Sequence, residues 1–291
     1  MPRQLQSRFV TGLLDILNPT FSRFRPATVT IDADGVLHRG QNVLAGAVDL
    51  INLLDTRGIP WRIVTNNSRQ TPAVAAAHYQ HLGLPVDAAH VLTAANALAV
   101  YIVEKHPGPG QPLVFSVGDA DLENTLRAAG CVLTDDEKLA EYVAVGLNRQ
   151  LTYDLLKRGS DAVRRGAYFL SANLDPTIPD EKGAIPGVGA IAAAIAVASN
   201  RQPINIGKPG PELMWQAIRL MGGTPETAVH LGDRLDSDVL AARRAGMVAV
   251  LVTTGGHTRA EGLATPEAER PDVIASDLPT LLANWFDLPT L

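Results

Sequence analysis

Short β-branched runs alternate with longer segments of helical spacing along most of this chain. Thr28 to Ile31 is such a run, bounded by Pro26 and Gly35, and its residues suit a buried strand. Val48, Leu50, Ile51, Leu53 and Leu54 follow at helical spacing and stop at Gly58, after which Trp61 to Thr65 reads as a second strand. Strand, helix and strand in that order imply a parallel pair with a right-handed crossover. A helix from about Pro72 to Leu82, a strand at Val91 to Thr93 and a helix to about Glu104 extend the alternation.

The pattern breaks at His106 to Pro112, HPGPGQP, the densest proline and glycine cluster in the chain. Beyond it come a strand (Leu113 to Val117), a helix (Asp121 to Ala129), short strands near Val132 and Tyr142 to Val145, a helix (Thr152 to Arg165) and a strand (Ala167 to Ser171). Asn173 to Gly183 is a second loop-rich boundary. The chain then resumes with a strand at Pro203 to Ile206, a helix at Pro211 to Met221, a strand at Thr227 to Leu231, a helix to Ala245, a strand at Val248 to Val252 and a last segment, Asp272 to Ala275. The expected fold class is α/β, a doubly wound parallel-sheet core from residues 1–104 and 185–291 with a second α/β unit, 105–184, inserted into it. Residues 1–25 are an N-terminal extension. Phe9, Leu13, Leu14, Ile16 and Leu17 recur there near helical spacing and predict an amphipathic helix packed on the body.

Composition narrows the function classes. The chain is 46% hydrophobic and 19% charged, ordinary for a globular protein. A net charge of −5 leaves no electrostatic footprint for a polyanion, and Arg164/Arg165 and Arg243/Arg244 lie in helical patterns without interleaved aromatics, so nucleic acid is not an expected partner. Cys131 is the single cysteine, which excludes an internal disulfide or a cysteine zinc cluster and suits a cytoplasmic location. The longest uncharged apolar region, Gly183 to Asn200, is broken by Pro186 and holds three glycines, so no membrane association is expected. Gly187 to Ala192 satisfies the GxGxxA spacing of a dinucleotide fingerprint, but a turn and not a strand precedes it, and a helix start is expected instead.

The candidate chemistry sits at strand ends. Asp32 and Asp34 follow the first strand, Thr65-Asn66-Asn67-Ser68 the second, Lys208 the one after Pro203, and Asp233 to Asp238 the one ending at Leu231. Each has a plain alternative: a turn, a helix N-cap, a solvated lysine, acids that complement a helix dipole. A calcium loop does not fit, because its twelfth position would be Val43 or Gln41 and not glutamate. A parallel sheet gathers strand ends on one face, so four polar groups in this order form one candidate site.

In these motifs, Asp32-Ala-Asp34-Gly-Val-Leu, Thr65-Asn-Asn-Ser, Gly207-Lys208-Pro and Gly232-Asp-Arg-Leu-Asp-Ser-Asp238, with Pro186-Gly-Val-Gly-Ala-Ile where the core resumes, the chain resembles a haloacid dehalogenase superfamily phosphatase of the subfamily with a large inserted cap. The resemblance spans about residues 28 to 280. It implies a phosphomonoester hydrolase for a small phosphorylated metabolite, with Asp32 as nucleophile forming an aspartyl phosphate and Asp34 as general acid and base. It further implies Mg²⁺ held by Asp32, the Asp34 backbone carbonyl and Asp233, phosphoryl oxygens contacted by Thr65, the Asn66 amide and Lys208, and Asp238 orienting Lys208 or metal waters. Asn173, Asp175 and Thr177, on the loop returning from the cap, are the expected specificity residues. The chain reads Ala-Asn-Leu-Asp there where the family often has Thr-Asn-Pro-Asp, and it has Asn148 where an aspartate is common. A homodimer through the cap is a further expectation. Asp34 argues against a dehalogenase. A phosphotransferase, and a non-catalytic binding protein for phosphorylated ligands, are the alternative functions.

Overall fold

The computed structural model describes residues 13–18, 25–180 and 183–286. Its core is a seven-stranded sheet in the spatial order Leu14–Ile16, Val273–Ala275, Val248–Val252, Ala228–Gly232, Thr28–Ile31, Trp61–Thr65, Val91–Thr93. The last six are parallel, and Ile31 lies in register between Leu231 and Ile63. Alternate residues of these strands feed two apolar clusters. Val29, Ile31, Ile63, Val229, Leu231 and Val250 pack on one face with the helices Ala47–Thr56 and Pro72–His81. Val64, Leu92, Ala228, Ala249, Leu251 and Ile274 pack on the other with Ala94–Lys105, Glu212–Leu220 and Leu240–Ala245. Helices on both faces bury the central strands, such as Thr28–Ile31 and Ala228–Gly232, completely, which is why these read as near-continuous apolar runs.

A second sheet of five parallel strands forms the insert, in the order Ile204–Asn205, Tyr168–Ser171, Tyr142–Val145, Leu113–Val117, Val132–Leu133. Phe115, Val117, Val143, Val145 and Phe169 pack there under the helices Tyr153–Arg165 and Val188–Ser199. Two segments beyond residue 184 therefore pack with this layer. Val188, Ile191 and Ile195 give the later helix an apolar face that matches the insert sheet, and the strand before Lys208 pairs with Leu170 and Ser171 instead of the core sheet. The expected parallel core strand at Pro203 to Ile206 is thus an edge strand of the insert.

The N-terminal extension also departs from expectation. Leu14–Ile16 is a strand antiparallel to Val273–Ala275, continued by Leu17 and Asn18 N–H bonds to the Asp272 carbonyl at 2.9 and 3.1 Å. Leu14 and Ile16 fit a period of two as well as a helix, and pairing with an otherwise bare sheet edge settles the conformation. Phe9 lies outside the described residues.

The glycines of the GxGxxA stretch have a local cause. A Cβ on Gly187 would lie 2.2 Å from the Asp175 carbonyl oxygen and one on Gly189 2.3 Å from that of Leu174, because the loop returning from the insert lies across the start of the helix Val188–Ser199. The expected helix does start there, at Val188, but the expected turn before it is a strand, Gly183–Pro186, which pairs antiparallel with Thr177–Asp180 in a hairpin and not with a parallel sheet, so no strand–turn–helix unit of a dinucleotide site is formed.

Candidate active site

Asp32 leaves the central strand at its C-terminal end, where its N–H donates to the Leu231 carbonyl at 2.8 Å. The chain then turns at Gly35, whose φ of +87° favours glycine. Lys208 approaches from the insert side and its Nζ donates to Asp32 Oδ1, to Asp238 Oδ1 at 2.6 Å and to the Val64 carbonyl at 3.3 Å. Asp238 sits on the π-helical turn Leu235–Val239 and its other oxygen accepts the Arg234 N–H at 3.1 Å. His230, fully buried on the neighbouring strand, spans from Thr30 Oγ1 at 3.0 Å to Asp238 Oδ1 at 3.3 Å.

Asp233 ends the strand Ala228–Gly232 and lies in a cradle of glycines. Its Oδ2 accepts the Gly256 N–H at 2.6 Å, and a Cβ at Gly35 or Gly255 would come within 2.3 or 2.1 Å of that oxygen. Asp233 Oδ1 is buried and finds no hydrogen-bond partner among the described residues. Carboxylate oxygens of Asp32, Asp233 and Asp238 all lie within 4.8 Å of one another. Three carboxylates facing one ammonium leave a surplus of two negative charges in a poorly solvated site. Burial pushes the Asp32 carboxyl up to about 8 and that of Asp233 up to about 6, and the neighbouring acids add to both shifts. Burial works the same way on Asp238, but Lys208 and the His230 hydrogen bond outweigh it and hold Asp238 far below the carboxylate range. Lys208 is held above its usual value by Asp238 and Asp32 against the cost of its burial. A divalent cation fits this donor set: it would satisfy the orphaned Asp233 oxygen and cancel the surplus charge.

Asp34 is placed apart from the acidic cluster. Its side chain is 75% exposed, faces the cavity and stands 4.0 Å from His38 Nδ1. Thr65 lines the same cavity, and its hydroxyl also accepts the Asn67 N–H at 3.2 Å. The side chains of Asn66 and Asn173 are used within the protein. Asn66 bonds to the Lys208 backbone and to Asp175, while Asn173, 4% exposed, donates to the Asn66 carbonyl at 2.7 Å and accepts the Asp175 N–H at 3.0 Å. Asp175 and Thr177 line the cavity. Burial raises the Asp175 carboxyl. Asn148 is spent on the Gly118 carbonyl and the Gln150 N–H, both at 2.9 Å.

The cavity, about 860 Å³, lies between core and insert. Arg69, on the loop after Thr65, crosses it to Asp119 at 2.6 Å and Asp121 at 3.4 Å in the insert. The cradle from Gly35, Gly255 and Gly256, the Arg69 bridge and His230 were not picked out from the sequence. Thr253-Thr254-Gly255-Gly256 directly follows a core strand, so the strand-end rule that found Asp32 also marks that segment. His230 carries no such sign, being one buried residue inside a strand.

Comparison with known proteins agrees with the fold. Residues 29–132 match the family described as haloacid dehalogenase-like hydrolase, and 205–281 match a HAD-hydrolase-like family. An acid sugar phosphatase of Staphylococcus saprophyticus is 37% identical over 231 residues, 79% of this chain and 88% of the relative. The p-nitrophenyl phosphatase structure from Archaeoglobus fulgidus superposes with a TM-score of 0.81 at 30% identity, covering 89% of this chain and 98% of that one. A glycerol phosphate phosphatase from Mycobacterium tuberculosis, solved in complex with magnesium, gives 0.79 at 30% identity over 90% of this chain and 78% of that one. The chain belongs to the haloacid dehalogenase-like hydrolases. Within them it is a phosphatase, on the branch that holds NagD and the p-nitrophenyl phosphatases. No helix among the described residues is long and apolar enough to cross a membrane.

Proposed function

We propose that this phosphatase is a Mg²⁺-dependent hydrolase of small sugar or polyol phosphate monoesters, working through a phosphorylated Asp32. The observation that carries this reading is the Asp32, Asp233 and Asp238 cluster around Lys208, with the partnerless Asp233 oxygen inside it. Asp32, Asp233 and the Asp34 backbone carbonyl are the ligands we assign to the metal, with Asp238 beside them as the partner of Lys208. Bound there, the cation would supply counter-charge for the carboxylates and the phosphoryl oxygens.

The protein's own groups divide the remaining work. Lys208 anchors one oxygen of Asp32 and points the carboxylate at phosphorus, which it attacks as the phosphoryl group leaves the substrate oxygen. Asp34, exposed to the cavity, gives its proton to that leaving oxygen and later takes one from the water that hydrolyses the aspartyl phosphate. Thr65 Oγ1, Lys208 and the backbone N–H of Asn66 contact the equatorial oxygens; the Asn66 side chain is occupied elsewhere. The insert, residues 105–184 by its loop boundaries and extended by packing to Asn205, covers the site and limits water. A cavity of about 860 Å³ is roomy for a sugar phosphate, and the acid sugar and glycerol phosphate phosphatases among the relatives support that substrate class.

A panel of phosphate esters read by phosphate release tests the proposal. Turnover of sugar or glycerol phosphates that is lost with EDTA and in Asp32→Asn supports it; metal-independent turnover overturns it.

A further inference from the structure

Asn66 holds the Lys208 backbone at two points. Its Oδ1 accepts the Lys208 N–H at 2.8 Å and its Nδ2 donates to the Lys208 carbonyl at 2.9 Å, so one planar carboxamide pairs with both polar groups of a single residue. The same Nδ2 faces the Asp175 carboxylate at 3.2 and 3.1 Å, and the Asn66 carbonyl accepts from Asn173 at 2.7 Å. Asn66 lies on the core loop after Trp61–Thr65, whereas Asn173 and Asp175 lie on the loop returning from the insert. Lys208 follows the insert's edge strand. One side chain therefore ties together three segments that come from two sheets.

Gly207 provides an independent sign that this contact is built in. A Cβ there would lie 2.5 Å from the Ala172 carbonyl oxygen and 2.6 Å from Asn66 Oδ1, so the glycine leaves room for the return loop and the carboxamide together. Its φ is not in the left-handed region, which removes backbone conformation as the reason for glycine.

We infer that Asn66 is a positioning residue that sets Lys208 against Asp32 and makes that setting depend on the seating of the return loop. The inference rests on the proposed role of Lys208 at the phosphoryl group. Lys208 Nζ reaches Asp32 and Asp238 from a backbone that no core strand fixes. Removing the carboxamide frees that backbone, and so misplaces Lys208, without deleting any of the side chains assigned to the reaction centre. Asn66→Asp keeps the acceptor for the Lys208 N–H but turns the donor into a carboxylate that repels Asp175 and the Lys208 carbonyl. Adding Asp175→Asn returns a donor opposite the new carboxylate and restores the link to the return loop.

The test compares Asn66→Ala, Asn66→Asp and Asn66→Asp/Asp175→Asn with wild type in the full chain, using kcat and KM on p-nitrophenyl phosphate and, separately, orthophosphate affinity by calorimetry with Mg²⁺. Small misplacements of a positioned group cost on the order of 100-fold, so kcat should fall by about 10- to 100-fold in both single variants while KM moves by less than about 3-fold. The double variant should recover part of the kcat lost in Asn66→Asp, which a purely structural role does not predict, and its orthophosphate affinity should recover alongside. Gly207→Ala, which pushes on the same carboxamide, should resemble Asn66→Ala. Wild-type kcat and phosphate affinity in a folded Asn66→Ala, or no recovery in the double variant, would overturn the inference. A wild-type protein without turnover, whose phosphate affinity still falls in Asn66→Ala and recovers in the double variant, would remove the phosphatase reading and leave the inference standing.

Discussion

Lys208 Nζ and Asp238 Oδ1 lie 2.6 Å apart with both side chains almost wholly removed from water. The pair is one part of a site with more acid than base. Asp32 and Asp233 share it, and the expectations below come from the crowding of these acids around Lys208 and from the contacts around them.

Without metal, stability should fall as pH rises from about 6.5 to 8. An acid with a higher pKa folded than unfolded binds more protons in the folded state, so ionising it costs folding free energy. Asp32, raised to about 8, ionises through this range, after Asp233 at about 6 has largely done so. His230 acts oppositely, since burial lowers its pKa, but its contribution is complete above its ordinary value of 6.5. Thermal denaturation in EDTA should show Tm declining across this range. Saturating Mg²⁺ should flatten the decline, because the ion keeps both carboxylates charged; a flat profile in EDTA would contradict the surplus-charge reading.

Gly255→Ala should weaken metal binding. The new methyl group would lie 2.1 Å from Asp233 Oδ2 and has to displace the carboxylate from the Gly256 N–H. Groups that orient a metal ligand typically matter by about 10- to 100-fold in affinity, and a loss of that size is expected for Mg²⁺ by calorimetry. An unchanged affinity would show that Asp233 is not held there for a metal.

Arg69→Ala should act on the seating of the insert and hardly on stability. Its pair with Asp119 is partly exposed, at 46% and 23%, and such pairs contribute about 0–1 kcal/mol at most. The expected signature is a raised KM with little change in Tm, and a difference from wild type that shrinks at about 1 M salt. A large drop in Tm would contradict it.

Deleting residues 1–18 should bare the edge strand Val273–Ala275 and remove the Asp15 to Arg259 ion pair at 2.5 Å. Exposed strand edges recruit other chains. Light scattering should show increased self-association, with kcat per folded molecule unchanged, because the described part of this segment bonds to 272–276 and Arg259 and not to Asp32, Lys208, Asp233 or Asp238.

The place of the candidate residues around one cavity was legible in the sequence wherever a residue stood at the end of a buried core strand. Asp32, Thr65 and Asp233 follow runs whose β-branched and apolar residues face helices on both sides, and that environment fixes strand and position together. Lys208 was found by the same rule although its strand belongs to the insert sheet, where two residues pair with Leu170 and Ser171. Sequence could not separate those sheets, because the apolar run is too short to show which neighbour it joins. Leu14 and Ile16 posed the same ambiguity, resolved by a sheet edge more than 250 residues away in the chain. Asn66 and Asn173 were expected at the substrate; residue type alone does not show whether an amide meets a ligand or the protein's own backbone, and here both side chains meet the protein.

The central claim is that Asp32 carries the phosphoryl group during turnover. Acid quenching of the enzyme with Mg²⁺ and p-nitrophenyl phosphate in the steady state, followed by mass spectrometry of its peptides, tests it directly. The expected result is one added phosphoryl mass on the peptide containing Asp32, absent after EDTA treatment and in Asp32→Asn. Steady turnover by Asp32→Asn, or a phosphoryl group found on another residue, would contradict it.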